Sequence, residues 1–164
     1  MEIRLVKKED SRFDISRVYE ESWKYAYNTI IPQDYLNSIP EGKWAQHIDS
    51  PGVYSLILVK SGEIIGTSSY CSARLPDMKG YGEIISIYLL PEYIGKGYGK
   101  KLIQASLEKL YQLGYQNVFL WVLKENKRAR RFYEKIGFRF DGKILKEWIG
   151  GKELKEVRYI LNKR

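Results

Sequence analysis

The stretch YIGKGYGKK at residues 93 to 101 alternates three glycines with other residues, between an apolar run, EIISIYLL, and an amphipathic one. Glycine has no Cβ and tolerates positive φ, so successive N–H groups of such a loop can converge on an anion. A helix opening directly after it adds a favourable dipole. The chemistry on offer is phosphate binding by backbone, although the same loop alone also suits a plain tight turn. Two standard nucleotide motifs do not fit. A Walker loop needs a Ser or Thr after its lysine to hold magnesium, and GYGKK lacks that hydroxyl. The dinucleotide fingerprint G-x-G-x-x-G fails because Gly95, Gly97 and Gly99 are spaced G-x-G-x-G.

Other reactive side chains are few. The single cysteine, Cys71, rules out an internal disulfide and sits in an alternating apolar run as an ordinary strand residue. The single histidine, His47, has no second ligand at metal spacing, so no metal site and no Ser–His chemistry is expected.

Positioning the loop requires a mixed α/β chain. EIRLVK (2 to 7) alternates as a first strand, and KEDSRFDISRVYEESWKYAYNTI carries Ile15, Val18, Tyr19, Trp23, Ala26 and Tyr27 at helical spacing. Two short helices are predicted, near Gln33 to Leu36 and through about His47, within a stretch broken by prolines. Residues 53 to 59 and 63 to 73 read as a hairpin turning at Lys60-Ser61-Gly62, and residues 83 to 90 as the strand feeding the glycine loop. A helix follows to a C-cap at Gly114, then the buried strand NVFLWVL and a short helix ending at Gly137. Two closing strands flank Gly150-Gly151. No repeat or linker interrupts this order, which predicts one domain over residues 1–164.

The net charge of +8 is unevenly placed: residues 122 to 164 hold 14 Lys and Arg against 6 Asp and Glu, and the rest balances. An anionic partner for the C-terminal third is one reading and a solvated face is the other. The start, MEIRLVKKED, has no apolar core for a secretory leader, and no stretch approaches the roughly 18 apolar residues that span a bilayer. A cytoplasmic location without membrane association is the expectation.

ISIYLLPEYIGKGYGKKLI resembles the acetyl-coenzyme A loop of the GNAT superfamily of N-acetyltransferases, and ENKRARRFYEKIGF resembles the next block of that family. The second match rests on Asn126, Ala129, Phe132, Tyr133, Gly137 and Phe138. Both blocks stand in family order and spacing. The resemblance implies a mostly antiparallel twisted sheet with one splayed parallel strand pair, flanked by helices. It implies acetyl-CoA as co-substrate, with the loop Ile94, Gly95, Lys96, Gly97, Tyr98, Gly99 and Lys100 on its pyrophosphate. The strand end Ile87, Tyr88 and Leu89 would pair with the pantetheine arm, and Asn126 would contact it from the other side.

The resemblance further implies Tyr133 as general acid, a phenol of pKa near ~10 that stays neutral at physiological pH. It implies Glu83 as general base, eleven residues before Ile94, although a solvated strand-end glutamate reads the same way. Ile94 departs from the family, which places Gln or Arg there. For the acceptor amine, whether of a small molecule, a peptide N-terminus or a lysine, Trp23, Tyr27, Tyr70 and Trp121 are candidate walls, and each equally suits a core. The implied activity is acetyl transfer to a primary amine by direct attack in a ternary complex, in a monomer or homodimer. The alternatives are an acyl-CoA-binding protein without turnover and, with less support, a basic nucleic-acid binder, for which no recognition motif is present.

Overall fold

Alternating burial decides the strands, and a computed structural model, which describes residues 1–163, joins all seven into one sheet. In chain order the elements are β1 (Glu2–Leu5), α1 (Arg12–Ala26), α2 (Gln33–Asn37), β2 (Tyr54–Lys60), β3 (Glu63–Ser72) and β4 (Gly82–Leu89). They continue with α3 (Tyr98–Gln112), β5 (Asn117–Leu123), α4 (Lys127–Ile136), β6 (Arg139–Ile149) and β7 (Lys152–Asn162). The strand order across the sheet is β1-β2-β3-β4-β5-β7-β6. Every neighbouring pair is antiparallel except β4–β5, which the crossover helix α3 makes parallel. This is the mostly antiparallel sheet with one parallel pair that the sequence resemblance implies.

The β4–β5 pair is short. It runs only through Gly82↔Val118, Glu83↔Phe119 and Ile84↔Leu120. At that point the β3–β4 register jumps from Ser69↔Ser86 to Tyr70↔Ile84, which leaves Ile85 as an extra residue on β4. A bulge bends and further twists its strand, and past it β4 and β5 no longer pair. The sheet is therefore split along half of its central seam.

Two layers cover the sheet. On one face α3 buries Leu102, Ile103, Leu107 and Leu110 against Leu56, Leu58, Tyr70, Ile84, Leu120, Val122 and Tyr159. On the other face α1 sets Ile15 and Tyr19 on Ile57, and the segment after α1 sets Ile30, Ile31 and Leu36 on Leu123 and Leu154. Ser11 starts α1 by accepting a hydrogen bond from the Asp14 N–H. The helix expected to continue past Tyr27 stops at Ala26, because the chain turns there to seat Ile30 and Ile31 in that second core. Trp44 joins α1 through a buried polar link: the Ser16 hydroxyl donates to Glu20 and accepts the Trp44 N–H, and Glu20 accepts the Gly42 N–H.

At the other edge, Arg158 on β7 clamps two elements. Its Nε donates to Asp141 Oδ2 at 2.6 Å and its Nη1 to Asp77 Oδ2 at 2.9 Å, while its guanidinium lies 5.7 Å from the Trp121 ring centre. The closing hairpin turns at Gly150 and Gly151, both at positive φ, as a two-residue turn requires. That turn sets Ile149 opposite Lys152, Glu147 opposite Leu154 and Leu145 opposite Glu156.

Candidate active site

The split between β4 and β5 opens into a cleft of about 1330 Å³ that runs through the sheet from the α3–α4 side to the α1 side. A single small ligand needs roughly 300–1,000 Å³, so this space can hold two reactants together.

At the α3 end, Gly95 and Gly97 sit at φ 80° and 88°, and Gly97 is the N-cap of α3. Gly97 offers no side chain to cap that helix, and among the described residues the N–H groups of its first turn have no side-chain partner. A Cβ added at Gly95 or Gly97 would meet nothing, so these glycines serve backbone conformation rather than close contact. Across the cleft, Arg128, Arg131 and Lys135 of α4, three and four residues apart, line the wall with Lys100. Uncapped helix amides facing a cationic helix surface can hold a polyanion. Arg130 takes no part in it: its Nε donates to the Tyr159 hydroxyl at 2.9 Å and its Nη1 to the Lys124 carbonyl. Asn126 caps α4 by accepting the Ala129 N–H at 3.3 Å, and it also lines the cleft.

The middle of the cleft is aromatic. Trp23 donates to the Tyr88 hydroxyl at 3.1 Å and meets Tyr27 edge to face with ring centres 5.0 Å apart. Trp44, which sequence patterning did not single out, stacks on Tyr19 and closes on Trp23. Tyr133 reaches in from α4, held between Phe132 and Phe138. It is only 9% exposed and its hydroxyl makes no hydrogen bond among the described residues. Burial, helped by repulsion from Tyr88, holds that phenol well above its ordinary pKa, so it is a neutral donor. Burial does the same to Tyr27 and Tyr88.

Acidic groups stand at two places on the wall. Glu83, with a side chain 3% exposed, is fully engaged: Arg74 reaches Oε2 at 2.6 Å through Nη2 and Oε1 at 3.1 Å through Nε, and the Arg74 N–H adds a third bond. Cys71 lies opposite Glu83 in the sheet; burial and that neighbour push its thiol up to about 11, which makes it inert. The second place is Glu147 on β6 and Glu156 on β7. Glu156 faces Leu145, two residues from Glu147, so both point to one side of the hairpin and their carboxyl groups share a hydrogen bond. Burial, then that shared hydrogen bond, then repulsion from Glu147, push Glu156 up to about 8.

The cleft thus brings together Glu83, Ile87, Tyr88, Leu89, Ile94, Gly95, Gly97, Gly99, Lys100, Trp23, Tyr27, Trp121, Asn126 and Tyr133. Three residues expected at the site lie off its wall. Tyr70 is buried 2% exposed in the α3-side core and stacks on Tyr54, because its register with Ile84 turns it away from α1. Lys96 lies over the Tyr93 ring and Tyr98 packs edge-on against the same ring, which leaves only their backbones to the loop. Glu147, Glu156 and Lys135 were not singled out by sequence. The Gly150-Gly151 turn carried the missing signal for the first two, since a two-residue turn fixes which side chains share a face. Among the described residues no group of three or more His, Cys, Asp or Glu is placed to hold a metal, and no helix is long and apolar enough to cross a membrane.

Comparison with known proteins agrees with this geometry. An uncharacterized N-acetyltransferase of Bacillus subtilis, YuaI, is 33% identical over 175 residues, covering 98% of each chain. The fold superposes on smu.2055 from Streptococcus mutans with a TM-score of 0.72 at 24% identity, over 99% of each chain. It also superposes on the PaiA N-acetyltransferase of Thermoplasma acidophilum, solved with coenzyme A, with a TM-score of 0.68 at 23% identity, over 95% of this chain and 98% of that one. Residues 14–138 match the profile of the Acetyltransferase (GNAT) family, and the chain belongs to that family.

Proposed function

We propose that the protein transfers an acetyl group from acetyl-CoA to a primary amine by direct attack in a ternary complex. The observation that carries this reading is the seam that opens past Ile84, with an anion site at one end, an aromatic chamber at the other and the unpaired Tyr133 hydroxyl between them. The α3 N-terminus and the Lys100, Arg128 and Arg131 side chains hold the phosphates. The freed backbone of Ile87 to Leu89 pairs with the pantetheine arm and offers an N–H to the oxyanion. Tyr133 donates its proton to the departing sulfur. Trp23, Tyr27 and Tyr88 wall the acceptor, where aromatic faces favour a cationic amine. Ile94 lines the cleft without a polar group, so the loop binds by backbone and leaves the charge to α4.

The test is release of free thiol from acetyl-CoA across diamines, polyamines, amino acids and short peptides, with binding of acetyl-CoA measured alongside. Amine-dependent release is expected, and Tyr133→Phe should lower kcat by about 100-fold or more with acetyl-CoA affinity unchanged. Binding of acetyl-CoA without release for any amine would replace this reading with that of an acyl-CoA binder. The basic C-terminal third needs no nucleic acid to explain it: Arg128, Arg131 and Lys135 face the cleft, while Arg130 and Arg158 are held by internal partners.

A further inference from the structure

Glu83 cannot readily accept a proton from an amine, because both of its oxygens are already bonded to Arg74. The cleft has other carboxyl groups. We propose that Glu147 and Glu156 form the site that receives the acceptor's ammonium group, and that Glu156 takes up its proton. This inference rests on the acetyltransferase reading and assigns the proton acceptor within it.

Three observations support it. First, the pair lies in the right chamber. Both side chains line the cleft on the α1 side, Glu156 opposite Leu123 where β5 has parted from β4. Tyr27 lies close enough to interact electrostatically with Glu147, with Glu156 and with Tyr133, so the pair and the unpaired Tyr133 hydroxyl share one neighbourhood.

Second, the pair lacks a cation in a segment rich in cations. Residues 122 to 164 hold 14 Lys and Arg against 6 Asp and Glu. Glu125, Asp141 and Glu153 of that segment each make an ion pair, whereas Glu134, Glu147 and Glu156 make none among the described residues, and of these only Glu147 and Glu156 line the cleft. Arg158, two residues along β7 on the same face, is committed to Asp141 and Asp77. The groups that face the pair are Tyr27 from the end of α1 and, beyond it, Tyr88 from β4 and Tyr133 from α4. None of these is cationic.

Third, two adjacent carboxylates with no counter-ion among the described residues repel, and in the free protein Glu156 is driven to keep its proton. A cationic amine between them relieves that repulsion, and the aromatic faces of Trp23 and Tyr27 suit the same charge. Recognition and proton uptake then follow from one arrangement.

The proton balance closes with these groups. The ammonium of the acceptor gives one proton to the ionised Glu156, which returns it to solvent. The neutral nitrogen forms the bond to the thioester carbonyl carbon. As the carbon–sulfur bond breaks, Tyr133 protonates the sulfur, and the new amide nitrogen loses its extra proton to restore the phenol. One ammonium and one thioester yield one amide, one thiol and one released proton.

The test compares wild type with Glu156→Gln and Glu147→Gln, using spermidine as the amine. In E156Q, kcat/KM should fall by about 100-fold or more and lose the limb that rises through about pH 8 in wild type, with acetyl-CoA affinity unchanged. In E147Q the loss should be about 10-fold, and the limb should move to lower pH because the repelling neighbour is gone. A merely structural role would not move that limb. A pH profile unchanged in both variants overturns the proposal. Carbon-13 titration of the glutamate carboxyls decides the matter even without turnover. One resonance should titrate near pH 8, vanish in E156Q and shift to lower pH when spermidine is added. All carboxyls titrating below about pH 5.5, or no response to spermidine, overturns it. Absence of thiol release with every amine tested, beside a normal carboxyl response, would instead reject the acetyltransferase reading.

Discussion

Glu83 and the Glu147–Glu156 pair line one cleft and meet opposite electrostatic environments. Glu83 is buried, yet Arg74 supplies two charge-assisted hydrogen bonds and a backbone N–H adds another. Glu156 is desolvated by burial and flanked by a second carboxyl, with no cation paired to it among the described residues, so it keeps a proton far above the usual carboxylate range. A satisfied buried charge holds structure together; an unsatisfied one stores an unfavourable interaction that a ligand can relieve. On the proposal made above, the first acidic site is scaffold and the second binds the acceptor.

Breaking the satisfied site gives the largest expected change in stability. Arg74→Ala removes the only cation that, among the described residues, pairs with a carboxylate 3% exposed. Loss of one partner of a buried pair costs about 3–5 kcal/mol, and the guanidinium here is 58% exposed, so solvent screening reduces the figure to about 2 kcal/mol. For a chain of this size that lowers Tm by about 4–8 °C. Thermal unfolding near pH 7 checks it; a Tm within 1 °C or so of wild type would remove the scaffold role from the Arg74–Glu83 pair.

The two sites also differ in how far they could be read from sequence. The glycine loop, the N-x-x-A-x-x-F-Y block and the strand order announced the family, the parallel pair and the positions of Gly95, Gly97, Asn126 and Tyr133, because those features are local and patterned. Glu83 was visible through its distance from the loop, but its partner was not: Arg74 lies nine residues away on the far side of a turn, and only the hairpin between β3 and β4 joins them. Tyr70 was misplaced because the bulge at Ile85, which decides the face presented by each neighbouring residue, has no reliable sequence signature. The Glu147–Glu156 pair was missed for a different reason. Its signal was the Gly-Gly turn, which fixes a diagonal contact between residues nine apart, and a contact of that kind is read from register rather than from spacing along one element.

Relieving the unsatisfied site should change stability with the opposite sign. The folded Glu156 holds a proton that the unfolded chain releases, because its pKa is raised from 4.5 to about 8. The folded state is therefore favoured fully below pH 4.5, loses that advantage as pH rises between about 5 and 8, and keeps the repulsion above. Glu156→Gln, which stays neutral, should raise Tm by about 2–4 °C at pH 8.5 and change it little at pH 5. A lower Tm for E156Q at pH 8.5 would make the pair a structural hydrogen bond instead of a strained binding site. Activity and stability should then move in opposite directions in this variant, and together in R74A.

Glu147→Gln should give the smallest of these effects and refine the assignment within the pair. Glu147 sits on the outer strand β6 and is the more exposed of the two, so water already screens much of its charge. Removing that charge eliminates the repulsion felt by Glu156 but leaves its burial, which is the larger cause of its shift. The carboxyl of Glu156 should consequently titrate between its wild-type position and the ordinary range, and Tm at pH 8.5 should rise by about 1 °C or less. A return of Glu156 to the ordinary range in E147Q would make the neighbour, and not burial, the dominant cause. The carboxyl titration of this variant separates the two causes, and it sets which glutamate an incoming ammonium meets as the charged partner and which as the proton acceptor.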